Sequence, residues 1–274
     1  MIVIIQCKDQ IGLVADISRL LAMAGLNIIS MREHVDKAEA RFFMRLEVDG
    51  AGDEDSLTKG LREILPAGAE VHVNPVPDKK IVVMVTREYH CLADILVRNE
   101  FGTLGASVSC VIGNHDLLQK ICQRFEIPFH LVSYDAAGID PEAALIELIN
   151  SYTPDYVVLA KFMRILSHRF VAQYPRKIIN IHHSFLPAFV GANPYRQAFE
   201  RGVKLIGATA HFVTNDLDEG PIIAQQIIPV NHSFTAADMV KSGKEIETAV
   251  LARALRLVLG DRVFVYGNKT VVFE

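Results

Sequence analysis

No long apolar run, no block of like charge and no paired-cysteine motif occurs in this chain of 274 residues. A span needs about 20 consecutive apolar residues. Met1-Ile-Val-Ile-Ile5 reaches Lys8 and Asp9 too soon for that and lacks the basic region of a secretion signal, so it reads as a strand and no membrane partner is expected. Lys and Arg total 28 against 32 Asp and Glu, interspersed to a net charge of -4, which leaves no basic footprint for nucleic acid. Cys7, Cys91, Cys110 and Cys122 are scattered and read as small core residues of a protein in a reducing cytoplasm. Internal repeats, low-complexity stretches and H-E-x-x-H spacing are missing too, so no metal is expected. What remains is a chain 50% hydrophobic, long enough for two domains or one large α/β unit.

Residues 1–74 alternate strand and helix signals. Ile2 to Gln6 reads as a strand, and Val14, Ile17, Leu21 and Ala24 mark one face of a helix closed by Gly25. In the hairpin that follows, Phe42, Met44, Leu46 and Val48 alternate with Phe43, Arg45, Glu47 and Asp49, which predicts one face towards a core. Leu57, Leu61, Ile64 and Leu65 mark a second helix stopped by Pro66, and Ala69 to Val73 a last strand. The order β-α-β-β-α-β is that of a ferredoxin-like α+β domain. Asn74-Pro-Val-Pro-Asp-Lys-Lys80 suits an exposed linker, placed at residues 75–80.

Over residues 81–274, short apolar strands at Ile81 to Val85, Ser107 to Ile112, Phe129 to Val132, Tyr156 to Leu159 and Lys177 to Ile181 alternate with helical segments. One helix is expected after Asp116 as N-cap, with Leu117, Leu118, Ile121, Cys122 and Phe125 at its spacing. Such alternation predicts an α/β, mostly parallel sheet with crossover helices. Two longer strands, Ile206 to Val213 and Ile222 to Val230, flank the acidic loop Asn215 to Gly220, and a helix from about Ala236 to Leu259 and a closing hairpin follow.

The residues that carry chemistry lie at strand ends, where open parallel sheets place their sites. Asn180 and His182 stand two apart, so strand alternation aims both to one side and His183 to the other. An amide and an imidazole, joined by Asp218 from the acidic loop, can attack a carbonyl and hold the oxyanion. Taken alone, Asn180 could be a turn former and His182 a core histidine. His211 is either a hydrogen-bonded structural residue or a neighbour of Asp218. His183 and Ser184 lack a nucleophile elbow. A metal held by His182, His183, His211 and Asp218 has no spacing to support it.

The run N-I-H-x-S-x-L-P at Asn180 to Pro187 and H-F-V-x-x-x-L-D-x-G-P at His211 to Pro221 resemble the folate-dependent formyltransferase superfamily. Further matches include His182-His183, Ala188 to Ala192 with Pro194-Tyr195, Lys204 to His211 and Val263 to Asn268. They resemble the branch of that family that hydrolyses 10-formyltetrahydrofolate. Lys8-Asp9-Gln10-Ile11-Gly12-Leu13 resembles the ligand loop of an ACT domain. The resemblance implies a Rossmann-like, mostly parallel catalytic domain behind an ACT domain. Asn180, His182 and Asp218 would form its catalytic trio. Phe162, Met163, Arg164, Ile165 and Leu166, with the loop of Asn215, Asp216 and Leu217, would hold the folate. Water would be the acceptor, with formate supplied to purine synthesis and no cofactor needed. Asn193 stands where a basic residue would be expected.

Within the superfamily, a transferase acting on a phosphorylated amine needs a Gly/Ser-rich turn after its first strand. Here that turn reads Arg87-Glu-Tyr-His-Cys-Leu-Ala-Asp94, without glycine or serine. An initiator-tRNA formyltransferase would carry an appended basic domain, which is not seen before Glu274. A folate-holding amino-acid sensor without turnover is the reading from another class, and the intact trio argues against it. The ACT resemblance implies a homo-oligomer with an amino-acid effector at Asp9 to Leu13, glycine or methionine first. A plain helix-capping turn with Gly12 for backbone freedom is the alternative there.

Overall fold

A computed structural model describes residues 1–74, 78–134, 140–187 and 194–274. They form two compact units, the first of residues 1–74 with 260–264 and 271–274, the second of residues 78–259 with 265–270. No described helix is long and apolar enough to cross a membrane.

The first unit runs β1 (Ile2–Lys8), α1 (Leu13–Met23), β2 (Asn27–Asp36), β3 (Arg41–Asp49), α2 (Glu54–Ile64) and β4 (Glu70–Asn74), the ferredoxin-like order. Its antiparallel sheet has the order β2-β3-β1-β4. Leu13, Ile17 and Leu21 on α1, with Leu57 and Leu61 on α2, are buried at helical spacing in one core with Val3, Ile5, Met44 and Leu46. Each such side chain contributes about 1.5–3 kcal/mol by leaving water. The Asp53 carboxylate caps α2, accepting from the Ser56 N–H at 2.9 Å.

The core face expected of β3 is present, with Phe42, Met44, Leu46 and Val48 all in that core, and part of its other face is covered as well. Phe43 and Arg45, which alternate with those residues, are buried too. The cause lies 200 residues on in the chain, at the far end that joins this unit: Arg45 Nε and Nη2 donate to the Gly260 carbonyl, 215 residues away in sequence, at 3.2 and 3.0 Å, and Phe43 meets Phe264 edge to face. Local alternation cannot anticipate a cover supplied from so far along the chain.

The second unit contains β5 (Lys79–Val85), α3 (His90–Glu100), β6 (Ala106–Gly113), α4 (Gln119–Arg124), β7 (Phe129–Leu131), α5 (Pro141–Tyr152), β8 (Tyr156–Leu159), α6 (His168–Gln173) and β9 (Ile178–His182). After these come α7 (Pro194–Arg201), β10 (Leu205–Phe212), β11 (Ile222–Pro229) and α8 (Ala236–Leu259), and then the strands β12 (Val263–Tyr266) and β13 (Lys269–Val272). The sheet order is β11-β10-β9-β8-β5-β6-β7, parallel from β9 to β7 with β10 and β11 antiparallel. From β5 the chain first steps outward to β6 and β7, then returns to lay β8 and β9 on the other side. The switch point therefore lies between β5 and β8.

Two local expectations change. The helix after Asp116 is a 3-10 turn, Asp116–Leu118, leading into the short α4; His115 takes the cap position and Leu117 is exposed. Lys79 and Lys80, read as linker, begin β5, where the buried Lys79 ammonium donates to the Leu259 carbonyl at 3.0 Å. The linker's Pro75, Val76 and Pro77 lie outside the described residues.

Candidate functional site

Parallel pairing of β8 and β9 brings their carboxyl ends to one side, and the chain leaving β8 forms the wall opposite Asn180 and His182. Between them lies a cavity of about 300 Å³, within the usual range for a small-molecule site. Asn180 and His182 both line it, as their two-residue spacing predicts. His183 lines it as well, against expectation. The strand ends at His182, so alternation no longer governs the next residue, whose ring centroid lies 5.0 Å from that of His182.

His182 Nδ1 stands 3.3 Å from Asp218 Oδ1, and His211 Nε2 stands 3.7 Å from the same oxygen. His211 Nδ1 faces the Phe212 carbonyl at 2.9 Å, so it must carry the proton it donates there. Neutral His211 then has an acceptor at Nε2, which takes a hydrogen bond from the Asn180 amide at 3.2 Å. The imidazole thereby orients the amide and leaves Asn180 a second N–H for the cavity. A bulge between Ala210 and His211 breaks the β10–β11 register beside the site. Asp218 itself has a left-handed backbone, φ 57°. The loop is held close by Gly220, where a Cβ would collide with the Phe212 carbonyl.

Electrostatics follow from these contacts. Burial pushes the Asp218 carboxyl up, but the hydrogen bond from His182 and the neighbouring imidazoles outweigh it and hold it below the usual aspartate range. Burial lowers His211, and burial aided by the Lys161 charge lowers His183 to about 4. His182 Nε2 is shielded from solvent and has no hydrogen-bond partner among the described residues. With Nδ1 turned to Asp218, that nitrogen is the group left for a reacting molecule.

The whole segment Phe162, Met163, Arg164, Ile165 and Leu166 lines the cavity. Met163, Ile165 and Leu217 expose 52%, 74% and 54% of their surface, an apolar lip that a flat ring system can cover. The Arg164 guanidinium lies 5.1 Å from the Tyr134 ring centroid. Asn215 and Leu217 reach the cavity; Asp216 does not line it, and its carbonyl instead accepts from the Thr214 hydroxyl at 3.2 Å. Residues 188–193, including Asn193, lie outside the described residues.

In the first unit, Asp9 to Leu13 form the turn into α1, with Gly12 at φ 95° and Ile11 fully exposed. The Asp9 N–H donates to the Ala40 carbonyl at 2.8 Å. A shallow cavity of this unit is lined by Leu20, Met23, Asp53 and Gly60, and none of residues 9–13 takes part.

One group of residues has no counterpart in the sequence reading. Glu247, 1% exposed on α8, accepts from His90 Nε2 at 2.7 Å and from the Tyr195 hydroxyl at 2.8 Å, and pairs with the Lys161 ammonium at 3.2 Å. Lys161 lines the cavity at φ 63°. The available signal was an acid on the apolar face of α8, between Ile246 and Val250. A network also holds the 184–186 turn: the Thr209 hydroxyl donates to the Ser184 carbonyl at 2.9 Å, and Gln225 Nε2 donates to the Leu186 carbonyl at 3.1 Å.

Among the described residues, His90, Cys91 and Glu247 bring metal-ligating atoms within 4.8 Å of one another. The Lys161 ammonium shares the Glu247 oxygen that His90 uses, so a dication would meet a fixed positive charge there. The four cysteines are free and buried; burial pushes the Cys7 and Cys122 thiols up to about 11 and Cys110 to about 12, which keeps them protonated.

Comparison with known proteins adds to this geometry. A family model described as formyl transferase matches residues 79–255, and one described as ACT domain matches residues 1–65. The chain is 50% identical over 267 residues to formyltetrahydrofolate deformylase of Escherichia coli K12, covering 97% of this chain and 95% of that protein. The crystal structure of a formyltetrahydrofolate deformylase from Pseudomonas syringae pv. tomato DC3000 superposes with a TM-score of 0.94 at 40% identity, covering 100% of this chain and 94% of that one. Glycinamide ribonucleotide transformylase 1 from Symbiobacterium toebii aligns with a TM-score of 0.69 at 31% identity, covering 72% of this chain and 95% of that one.

Proposed function

The chain belongs to the formyltetrahydrofolate deformylase family, an ACT domain joined to a formyl transferase domain, and from that premise we propose that Asn180, His182 and Asp218 hydrolyse 10-formyltetrahydrofolate to formate and tetrahydrofolate. One observation carries the assignment of roles: the Asp218 carboxylate from the 213–221 loop meets His182 from β9 at 3.3 Å on the wall of the same cavity that Asn180 lines.

The folate ring system lies against Phe162 to Leu166 and under the Asn215 to Leu217 loop, which sets the formyl carbonyl beside Asn180 and His182. Water held by Asp218 attacks the formyl carbon. Its oxygen bonds to that carbon and one proton passes to Asp218, directly or through His182. The Asn180 amide donates to the oxyanion, and one such preorganised donor can lower the barrier by about 3 kcal/mol. As the bond from the formyl carbon to N10 breaks, N10 takes up the proton that Asp218 accepted from water, and formic acid leaves and loses its own proton to solvent as formate. His211 touches no reacting atom in this scheme; it positions the amide of Asn180.

No metal or other cofactor enters this chemistry, so chelators are expected to leave the rate unchanged; a rate abolished by chelation and restored by one divalent ion overturns that part. The free, buried cysteines support a reducing cytoplasm as the compartment. Because a family model described as ACT domain matches residues 1–65, we infer that two copies pair through these units and enclose an amino acid at Asp9 to Leu13, glycine or methionine being the first to test. The deciding experiment for the activity incubates the purified protein with 10-formyltetrahydrofolate alone and measures formate. Formate that appears only when an amine acceptor is supplied defeats the hydrolase reading.

A further inference from the structure

Open parallel sheets bind anionic ligands beyond the carboxyl ends of the strands at the switch point, where the first crossover helix begins. Here that place lies between β5 and β8. The loop leaving β5 delivers His90, the first residue of α3, and the loop leaving β8 delivers Lys161. A cation and an imidazole at this position are what a bound phosphate needs. Both are already engaged. Glu247, reaching over from α8, takes His90 and Lys161 on one carboxylate oxygen and the Tyr195 hydroxyl on the other.

The cluster is built rather than incidental. Glu247, Lys161 and Tyr195 are 1%, 7% and 8% exposed, so the acid is wholly enclosed by its partners. Gly243, one turn before Glu247 on α8, leaves room for the Tyr195 ring, which a Cβ there would strike. Alongside, Glu88 on the turn into α3 pairs with the Lys244 ammonium at 2.6 Å, adding a second carboxylate to the approach. A phosphate arriving here would meet a carboxylate already holding His90, Lys161 and Tyr195, beside the Glu88–Lys244 pair.

We propose that Glu247, clamped by His90, Lys161 and Tyr195, is a resident anion that fills the phosphate place at the switch point and thereby restricts the formyl acceptor to water. The inference rests on the hydrolase reading and names Glu247 and Lys161 as its specificity-determining residues. A phosphorylated amine is excluded because Glu247 occupies the donors its phosphate would need, while water needs only the space beside Asp218.

Glu247→Ala vacates the place and leaves His90 and Lys161 to accept an outside anion. Inorganic phosphate at about tenfold its dissociation constant is then expected to raise the variant's melting temperature by about 3 °C over chloride of equal ionic strength. Wild type is expected to show no such rise, and the double variant Glu247→Ala, Lys161→Met to lose it. A folded Glu247→Ala protein that does not respond to phosphate, or a double variant that still does, overturns the proposal. Should Glu247→Ala not fold, wild type with Glu247→Ser, which keeps a hydroxyl but empties most of the place, decides it: millimolar phosphate or phosphoethanolamine is expected to leave wild-type formate release unchanged and to inhibit Glu247→Ser at least severalfold. Competitive inhibition of the wild type, or equal indifference of both proteins, overturns it. Formate release by wild type without additions tests the hydrolase reading separately, so the two failures are distinguishable.

Discussion

At the scale of single residues, the site depends on the Asp218 carboxylate, which stands 3.3 Å from His182 Nδ1. Asp218→Asn keeps the volume and much of the hydrogen bonding but removes the base, so turnover is expected to fall by roughly 10²–10⁴ while folate binding, followed by equilibrium titration, is retained. Near wild-type turnover would make Asp218 a loop residue only. His183 gives a second prediction. Its folded pKa is lowered from 6.5 to about 4, so the unfolded chain takes up a proton before the native one does, and stability drains away as pH falls through that window. His183→Gln is expected to flatten that loss, measured as melting temperature against pH; an unchanged slope would mean that this imidazole is not held neutral. Asp218 runs parallel in sign, its depressed folded pKa keeping its contribution until pH drops below the ordinary aspartate range. Asn180, His182 and Asp218 were readable as residue types in a spacing. The distance of 3.2 Å that makes His211 the orienter of Asn180 was not, because it depends on the register of β10 against β9.

Among the elements, the 213–221 loop decides how Asp218 is presented. Gly220 sits where any side chain would press on the Phe212 carbonyl, at the point where β10 gives way to the loop. Gly220→Ala is therefore expected to cost about 1–3 kcal/mol and to reduce turnover more than folate affinity, since it displaces the acid rather than the ring-binding segment. Melting curves and separate kcat and KM values check this; an unaltered kcat would show that the loop tolerates the shift. Strand ends explain another feature. His183 follows the last residue of β9, and the period of two that places Asn180 and His182 together has no hold beyond it. The same limit applies at Asp116, where apolar spacing over ten residues resembles a long helix but only a 3-10 turn and six helical residues form.

For the molecule as a whole, the ferredoxin-like unit is larger than the N-terminal segment that encodes its sheet, because residues 260–264 and 271–274 complete it. Deleting residues 1–74 would take Phe43 from Phe264 and Arg45 from Gly260, so the regulatory reading is better tested in the intact chain. Glycine or methionine is expected to bind it and to change folate affinity by roughly 5–150-fold, with folate changing amino-acid affinity by the same factor. Gly12→Val, strained at φ 95°, is expected to weaken that binding while basal hydrolysis persists. If calorimetry finds no binding of either amino acid to the intact protein, the ACT unit has no such effector role.

Periodicity alone determined the two architectures: alternation in β3 and apolar stripes on α1, α2 and α8 are local consequences of the strand and helix repeats, and strand alternation with crossovers sets a parallel sheet. The motif spacing likewise singled out the trio. Tertiary structure decided everything that needs two distant segments at once. It placed Gly260 over Arg45, Glu247 between His90 and Lys161, and Asp218 against both His182 and His211. Such contacts arise because a buried charge or amide must find its partner within about 3 Å wherever the fold offers one, and sequence separation has no bearing on that distance.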